Sequence, residues 1–300
     1  MNFKRQRMLG PWLTLAWLLL FVPNLLLSQG TNQMVRNQLR ADAQSKIKTL
    51  SGRFAEILAP ADRENRLRAD CRSNCGAVAD AATGKTAGDE LDDIAIAKDA
   101  ALDRVIAEIQ MSLDDYIVRT VRTTDSNLNS ASVSEELGLI LQDEAVQPPA
   151  AFVLRSPKGN SLLVFYGLNR GMSPTSTTVL RAYVADAESL RLSDSIGTDM
   201  NDYVNLEVKE LHSPKSDEIW LLVSGQMIGA NGPNIRMRVF AYDGRKFRAV
   251  WMPANQWGEF TTRVTQDGFT VDGDYYRSSQ HRHEAYHLAP DGLYLRRPGE

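Results

Sequence analysis

Apolar positions in the first half of the chain recur at steps of three and four residues, the spacing of one helix face. One stripe runs through residues 32–58 and a second through residues 91–121. A shorter third helix is predicted to begin at a capping box formed by Ser132 and Glu135. Two long helices with one stripe each most simply pair as an antiparallel hairpin, and coiled-coil dimerisation is the alternative.

The pattern changes at Ala150, where the helical spacing ends and short apolar runs begin to alternate with turn residues. The runs lie at residues 152–154, 162–166, 179–184, 219–223, 236–242, 247–251, 269–271 and 293–295. Asp243-Gly244 and Asp291-Gly292 each separate two runs, as hairpin turns do. The predicted fold class is therefore α+β, with an N-terminal helical hairpin region followed by an all-β domain.

The β half also contains an internal repeat. Residues 154–158 (Leu-Arg-Ser-Pro-Lys) recur as residues 211–215 (Leu-His-Ser-Pro-Lys), and residues 162–167 then match residues 220–225. A third, shorter copy can be traced through residues 264–293. Each copy is predicted to supply about four strands in meander order.

This repeat resembles the blade of a β-propeller, a four-stranded meander that stacks face to face on its neighbours. The resemblance implies about three propeller-blade-like units. An open three-blade wedge, half of a dimeric ring and a twisted sandwich are all compatible with three units, because a closed propeller usually has four or more blades.

The first thirty residues follow the plan of a secretory signal. Three basic residues at positions 4, 5 and 7 precede an uncharged apolar run from Met8 to Leu27, and small and polar residues follow up to Gly30. A retained membrane anchor is the alternative, because a spanning helix needs about 20 apolar residues. We therefore expect an exported protein, periplasmic or extracellular, or one anchored through its N-terminus.

These patterns predict three parts of the chain. The parts are residues 1–30 as signal peptide or N-terminal membrane anchor, residues 31–149 as a helical region with a Gly/Ala-rich connector, and residues 150–300 as the all-β repeat domain. We expect the helical region to pack on the β domain and cover its open end, which would make a monomer sufficient.

The net charge of −3 becomes more negative if residues 1–30 are removed, because they carry basic but no acidic side chains. An acidic chain lacks the field that non-specific nucleic-acid binding requires. Nucleic acid is therefore not an expected partner.

Cys71 and Cys75 are the only two cysteines. In an oxidising compartment this close spacing predicts a small local disulfide. A metal site here would need further ligands, and no histidine lies in this half of the chain.

His283, Glu284 and His287 match the H-E-x-x-H pattern of zinc peptidases. That chemistry needs a helix, since only a helix brings positions i and i+4 to one metal ion. Here the segment leads into the predicted turn at Asp291-Gly292, and residues four apart on a strand are separated by about 13 Å. We therefore predict strand residues, no metal and no catalytic site. His281 and His283 can share a strand face, where an adventitious metal site is conceivable.

Residues 79–86 match the loosest form of a phosphate-binding loop, but the residues before them do not resemble a buried strand, so we interpret them as connector. There is no nucleophile elbow and no carboxylate pair that can be placed in one cleft.

The sequence thus favours an exported non-catalytic binding or scaffolding protein without a cofactor, whose ligand is a protein or a glycan. A secreted or envelope metal-dependent hydrolase that uses His283, Glu284 and His287 is the alternative. The aromatic residues predicted near turns, as contact residues or as core, are Trp251, Trp257, Tyr275 and Tyr276.

Overall fold

The computed structural model describes residues 12–74, 84–121, 128–157, 159–171, 176–186, 189–201, 203–229, 232–253, 256–277, 279–289 and 292–296. For residues 12–32, 73–74, 228–229, 256 and 293–296 it describes the backbone only. The fold is α+β, as predicted: a helical N-terminal region is followed by antiparallel sheets, and the first strand begins at Ala150.

The helices are α1 (Trp12–Leu58), α2 (Asp62–Asn74), α3 (Ala87–Thr120) and α4 (Ser130–Leu141). The strands of the first repeat are β1 (Ala150–Ser156), β2 (Gly159–Asn169), β3 (Ser176–Asp186) and β4 (Ser189–Gly197). Those of the second are β5 (Val204–Leu211), β6 (Ile219–Gly229), β7 (Gly232–Tyr242) and β8 (Phe247–Trp251). Those of the third are β9 (Gln256–Thr265), β10 (Gly268–Tyr275), β11 (His281–Ala289) and β12 (Gly292–Arg296).

The chain divides into two compact units, Met1–Asp42 and Ala43–Glu300. Across the described residues, no helix is both long and apolar enough to cross a membrane. Residues 1–11 lie outside the described part, and of residues 12–32 only the backbone is described. The signal peptide or anchor therefore stays a prediction. The predicted domain boundaries after residues 30 and 149 also stay predictions.

A helical hairpin forms between the last part of α1 and α3, as predicted. Ile47 and Phe54 on α1 are buried, as are Val105 and Ile109 on α3. Polar contacts run along the edges of this pairing: Arg53 Nη1 lies 3.0 Å from the Glu108 carboxylate, and Lys98 Nζ donates to the Ala59 carbonyl at 3.1 Å.

Helix α2 lies where the sequence predicted only a connector. It contains almost no apolar residues, so hydrophobic periodicity could not reveal it. A buried charge holds it instead: the Glu64 carboxylate accepts from Lys98 Nζ on α3 at 2.6 Å and from Arg68 Nη2 at 2.6 Å. Donation from Lys98 lowers the pKa of Glu64, so Glu64 is an anion.

The predicted capping box at Ser132 and Glu135 is wrong. Helix α4 begins at Ser130, and its N-cap is Asn129, whose Oδ1 accepts from the Ala131 amide at 2.9 Å. A capping box does occur at α3, where Thr86 Oγ1 accepts from the Asp89 amide and the Asp89 carboxylate accepts from the Thr86 amide. The phosphate-loop match overlaps the start of α3. There the backbone amides of Thr86 and Asp89 thus already donate to side chains of the chain itself.

Each repeat forms an antiparallel meander, in the predicted strand order. The first forms a four-stranded sheet by itself. The second and third are joined into one larger sheet by a short β7–β9 pairing at Asn234–Trp257 and Ile235–Gln256. The predicted turn at Asp243-Gly244 is confirmed: Gly244 has a φ of +86°, and Asp243 Oδ1 accepts from the Arg245 amide at 2.8 Å.

Two apolar clusters lie between the meanders. The first joins β1–β3 to β5–β7 and includes Leu163, Phe165, Leu180, Leu221 and Phe240. The second joins β5–β7 to β9–β11 and includes Trp220, Leu222, Phe260, Phe269 and Tyr286.

The other face of β2 and β3 lies against the helical region. Arg181 on β3 donates from Nε to Asp114 Oδ1 on α3 at 2.9 Å, and the Tyr183 hydroxyl donates to the same carboxylate at 2.6 Å. Burial raises the pKa of Tyr183 and of its neighbour Tyr166 far above their ordinary values, so both stay neutral. The helical region thus packs against this face of the first sheet.

Candidate functional site

The H-E-x-x-H segment lies on strand β11, as predicted, and the strand separates its three polar residues. His283 and His287 lie on one face, where each contacts an aspartate, Asp272 and Asp267 respectively. The Glu284 side chain faces the core, where it accepts from the Tyr286 hydroxyl at 2.6 Å and contacts the buried Arg282. The three residues are therefore not brought together around one metal ion.

The electrostatics of Glu284 also fit a structural role. Burial alone raises its pKa, but hydrogen bonds from Arg282 and Tyr286 lower it overall. Glu284 is thus a carboxylate that neutralises the buried Arg282 guanidinium, which in turn lies 5.4 Å from the centre of the Phe260 ring. Within the described part of the chain, no group of three or more histidine, cysteine, aspartate or glutamate residues is arranged to hold a metal ion.

Three histidine–aspartate pairs form a row on the outer face of β10 and β11. His281 Nδ1 lies 2.8 Å from Asp274 Oδ1, His283 Nδ1 contacts Asp272 Oδ1, and His287 Nδ1 lies 2.9 Å from Asp267 Oδ2. His281 and His283 do share a strand face, directly opposite their aspartates in the β10–β11 register. The pKa of Asp272 is lowered, mainly by its hydrogen bond with His283.

A cavity of about 320 Å³ lies between the second and third meanders, where β5 and β6 face β9. We call it the β5–β9 groove, and its lining residues are Asn205, Glu207, Lys209, Ser224, Gly225, Gln226, Ile235, Phe260, Thr261 and Thr262. Most of these residues are polar, and they contribute both hydrogen-bond donors and acceptors. This size is at the lower end of small-molecule sites.

The two charged residues of the β5–β9 groove satisfy each other. Lys209 Nζ lies 2.7 Å from the Glu207 carboxylate and donates to the Thr262 carbonyl at 2.7 Å and to Thr262 Oγ1 at 3.1 Å. These partners use all three N–H bonds of the ammonium group. The groove therefore offers amide and hydroxyl groups with little net charge.

On the opposite face of β5 and β6 the same part of the second meander is filled. Gly225 has the side chains of Leu206 and Tyr203 packed so close that an added Cβ would lie 2.6 Å from Leu206 Cδ2. Both side chains belong to the first apolar cluster. The two faces of the second meander thus differ at this point, since apolar side chains fill one and polar side chains line the other.

A second cavity, of about 300 Å³, lies among α1, α2 and α3 and is lined by Glu64, Arg68 and Lys98 together with apolar residues. Its buried carboxylate already binds both cations. This arrangement accounts for the docking of α2, so the cavity is not our candidate site.

The four aromatic residues singled out from the sequence divide into two pairs. Trp251 contacts Tyr286 with the two rings tilted and their centres 4.7 Å apart, and Tyr275 contacts Phe260 edge-on. Both residues therefore pack against the second apolar cluster. Trp257 and Tyr276 are exposed. They are neighbours across the β9–β10 hairpin, since the Tyr276 amide donates to the Trp257 carbonyl at 3.1 Å.

The groove residues were missed from the sequence because β5 contains no continuous apolar run. A usable signal did exist: Leu206 and Val208 alternate with Glu207 and Lys209 just before the repeat motif at Leu211. When a sheet is covered on both faces, its residues on both faces are expected to be apolar. Polar residues on one face of such a sheet therefore indicate a candidate binding site.

Two other sequence motifs lie partly outside the described residues. Cys71 is on α2, but Cys75 lies outside the described part, so the disulfide stays a prediction. Residues 79–83 of the phosphate-loop match also lie outside it.

No protein-family model, no curated protein and no solved structure matches this chain.

Proposed function

We propose that this chain is an exported, non-catalytic binding protein whose β5–β9 groove takes a neutral carbohydrate. The observation that carries the proposal is the polar lining of a cavity at an interface that is otherwise apolar. Buried or half-buried polar groups cost free energy unless they are hydrogen-bonded. A ligand rich in hydroxyl groups supplies partners of both kinds to Asn205, Ser224 and Gln226.

The electrical balance of the groove favours a neutral ligand over an ion. The Lys209 ammonium already has three acceptors around it, one of which is the Glu207 carboxylate. A charged ligand would have to displace one of these partners. A sugar can instead hydrogen-bond to the remaining oxygen atoms and amides without separating the ion pair.

The architecture supports a binding role as well. We propose that the three meanders stack as propeller-like blades in an open wedge, because each apolar cluster joins successive repeats. Contacts of β8 with both β4 and β12 continue the stack along its outer strands. In such a stack the groove lies between the first strands of two neighbouring blades.

A panel of neutral mono- and oligosaccharides tests the proposal by isothermal titration calorimetry on the purified protein. Binding of at least one saccharide with one-to-one stoichiometry is the expected result. If no member of the panel binds, while peptides or charged metabolites do, the assignment of the ligand class is wrong.

A further inference from the structure

We propose that His281 and His283 form a binding site for a divalent transition metal on the outer face of β11, separate from the β5–β9 groove. The two residues are two positions apart on one strand, so their side chains leave the same face about 7 Å apart. Both imidazoles are largely exposed, at 60% and 64% of their side-chain surface. One metal ion can therefore reach both rings from solvent.

The aspartates opposite these histidines orient the rings for metal binding. A carboxylate can only accept, so the Nδ1 that contacts Asp274 or Asp272 carries the proton. In the neutral imidazole the lone pair is then on Nε2, the atom left for a metal. Metal-bound histidines usually donate their other N–H to a carboxylate in this way.

The surrounding charges also suit a cation. Glu259 on β9 lies opposite Asp274 in the strand register, beside the Asp272 and Asp274 carboxylates. Arg263, two rows along β9, is the basic residue on this face of that strand, opposite Thr270. The three carboxylates near the two imidazoles make this face negatively charged, and a divalent cation would neutralise that charge.

The ligand set indicates the kind of metal. Imidazole nitrogen suits copper, nickel and zinc ions, and for a given site Cu²⁺ binds more tightly than Ni²⁺ or Zn²⁺. Since only two imidazoles are within reach, water completes the coordination. Glu284 faces the opposite side of the strand, so this site binds metal without the general base that a hydrolase needs.

His287 is a matched control that the chain itself provides. It lies on the same strand face and contacts Asp267 in the same way, at 2.9 Å. Its neighbour two positions before is Ala285, so no second imidazole is available to chelate with it. The metal affinity of a single histidine–aspartate pair, at His287, can thus be compared with that of two adjacent pairs, at His281 and His283, within one protein.

The experiment is a Cu²⁺ titration of the purified protein, followed by calorimetry and by visible absorption, with Zn²⁺ as a second metal. His281→Ala and His283→Ala should each weaken binding about tenfold or more, because chelation by the second ring is lost. His287→Ala should leave the affinity within about twofold. Asp272→Ala should weaken binding by about 10- to 100-fold through loss of ring orientation.

Circular dichroism of each variant establishes that it is folded, and Ala285→His gives a second, independent readout. A histidine at position 285 would add another pair with His283 and His287, so it should raise the affinity or the stoichiometry. Equal losses for His283→Ala and His287→Ala would overturn the proposal, as would unchanged binding in both His281→Ala and His283→Ala. Either result would show adventitious binding by single surface histidines.

Discussion

The Arg181 guanidinium on β3 donates to both carboxylate oxygens of Asp114 on α3. The side chains are only 9% and 16% exposed, so this ion pair fastens the helical region to the first sheet almost out of contact with water. The Tyr183 hydroxyl and the Gln110 side chain complete its hydrogen bonds.

Asp114→Ala should destabilise the protein by about 3–5 kcal/mol, because it leaves a buried guanidinium without its anion. The free energy of unfolding, measured by urea denaturation, checks this value. Glu108→Ala on the same helix removes the exposed partner of Arg53, and it should cost less than about 1 kcal/mol. Equal effects of the two changes would mean that the buried pair has no special role.

A fragment that begins at Ala150 should aggregate or dimerise, whereas residues 31–300 should be monomeric. Removal of α3 and α4 exposes the face of β2 and β3 that carries Tyr166, Arg181 and Tyr183, all of which are buried in the chain. Size-exclusion chromatography with light scattering distinguishes the two states. A soluble, monomeric fragment would show that the first sheet does not need the helices as its cover.

Stability should fall in acid partly through Glu218, which accepts from Trp220 Nε1 at 2.8 Å, Arg248 Nη2 at 2.8 Å and Lys215 Nζ at 3.2 Å. Burial alone raises the pKa of Glu218, but these three donors lower it below its ordinary value of 4.5. A lowered folded-state pKa contributes stability that is fully present above the ordinary value and is lost as the pH falls through the folded value.

Urea denaturation of the native chain and of Glu218→Gln, at a series of pH values, tests this contribution. The difference in unfolding free energy between them should be constant above about pH 5 and shrink below about pH 4. Arg248→Met, which removes one donor, should move the loss to higher pH. A difference that does not change with pH would show that the Glu218 carboxylate contributes nothing through its ionisation.

The parts of the fold that could be predicted from the sequence are those that depend on residues close together in the chain. The switch of period at Ala150, the turn at Asp243-Gly244 and the strand through His283 all come from local alternation and turn chemistry. Helix α2 was not predicted, because it is held in place by a single buried residue, Glu64, and not by an apolar stripe.

The shared strand face of His281 and His283 followed from their spacing, but the partners of both candidate sites needed the three-dimensional structure. Asp272 and Asp274 meet His283 and His281 only through the β10–β11 register, and register is a property of the paired strands rather than of either segment. Likewise, Lys209 meets Thr262 across two repeats that are far apart in the chain. Contacts of this kind leave no local pattern.

Carbohydrate binding in the β5–β9 groove is the central claim, and amide chemical-shift mapping of a saccharide titration tests it most directly. Shifts should cluster at Asn205, Ser224 and Gln226. Gln226→Ala should weaken binding about tenfold through a lost hydrogen bond, while Gln266→Ala, in the exposed β9–β10 turn, should change nothing. Shifts confined to Trp257 and Tyr276, or equal affinity for both glutamine variants, would contradict the claim.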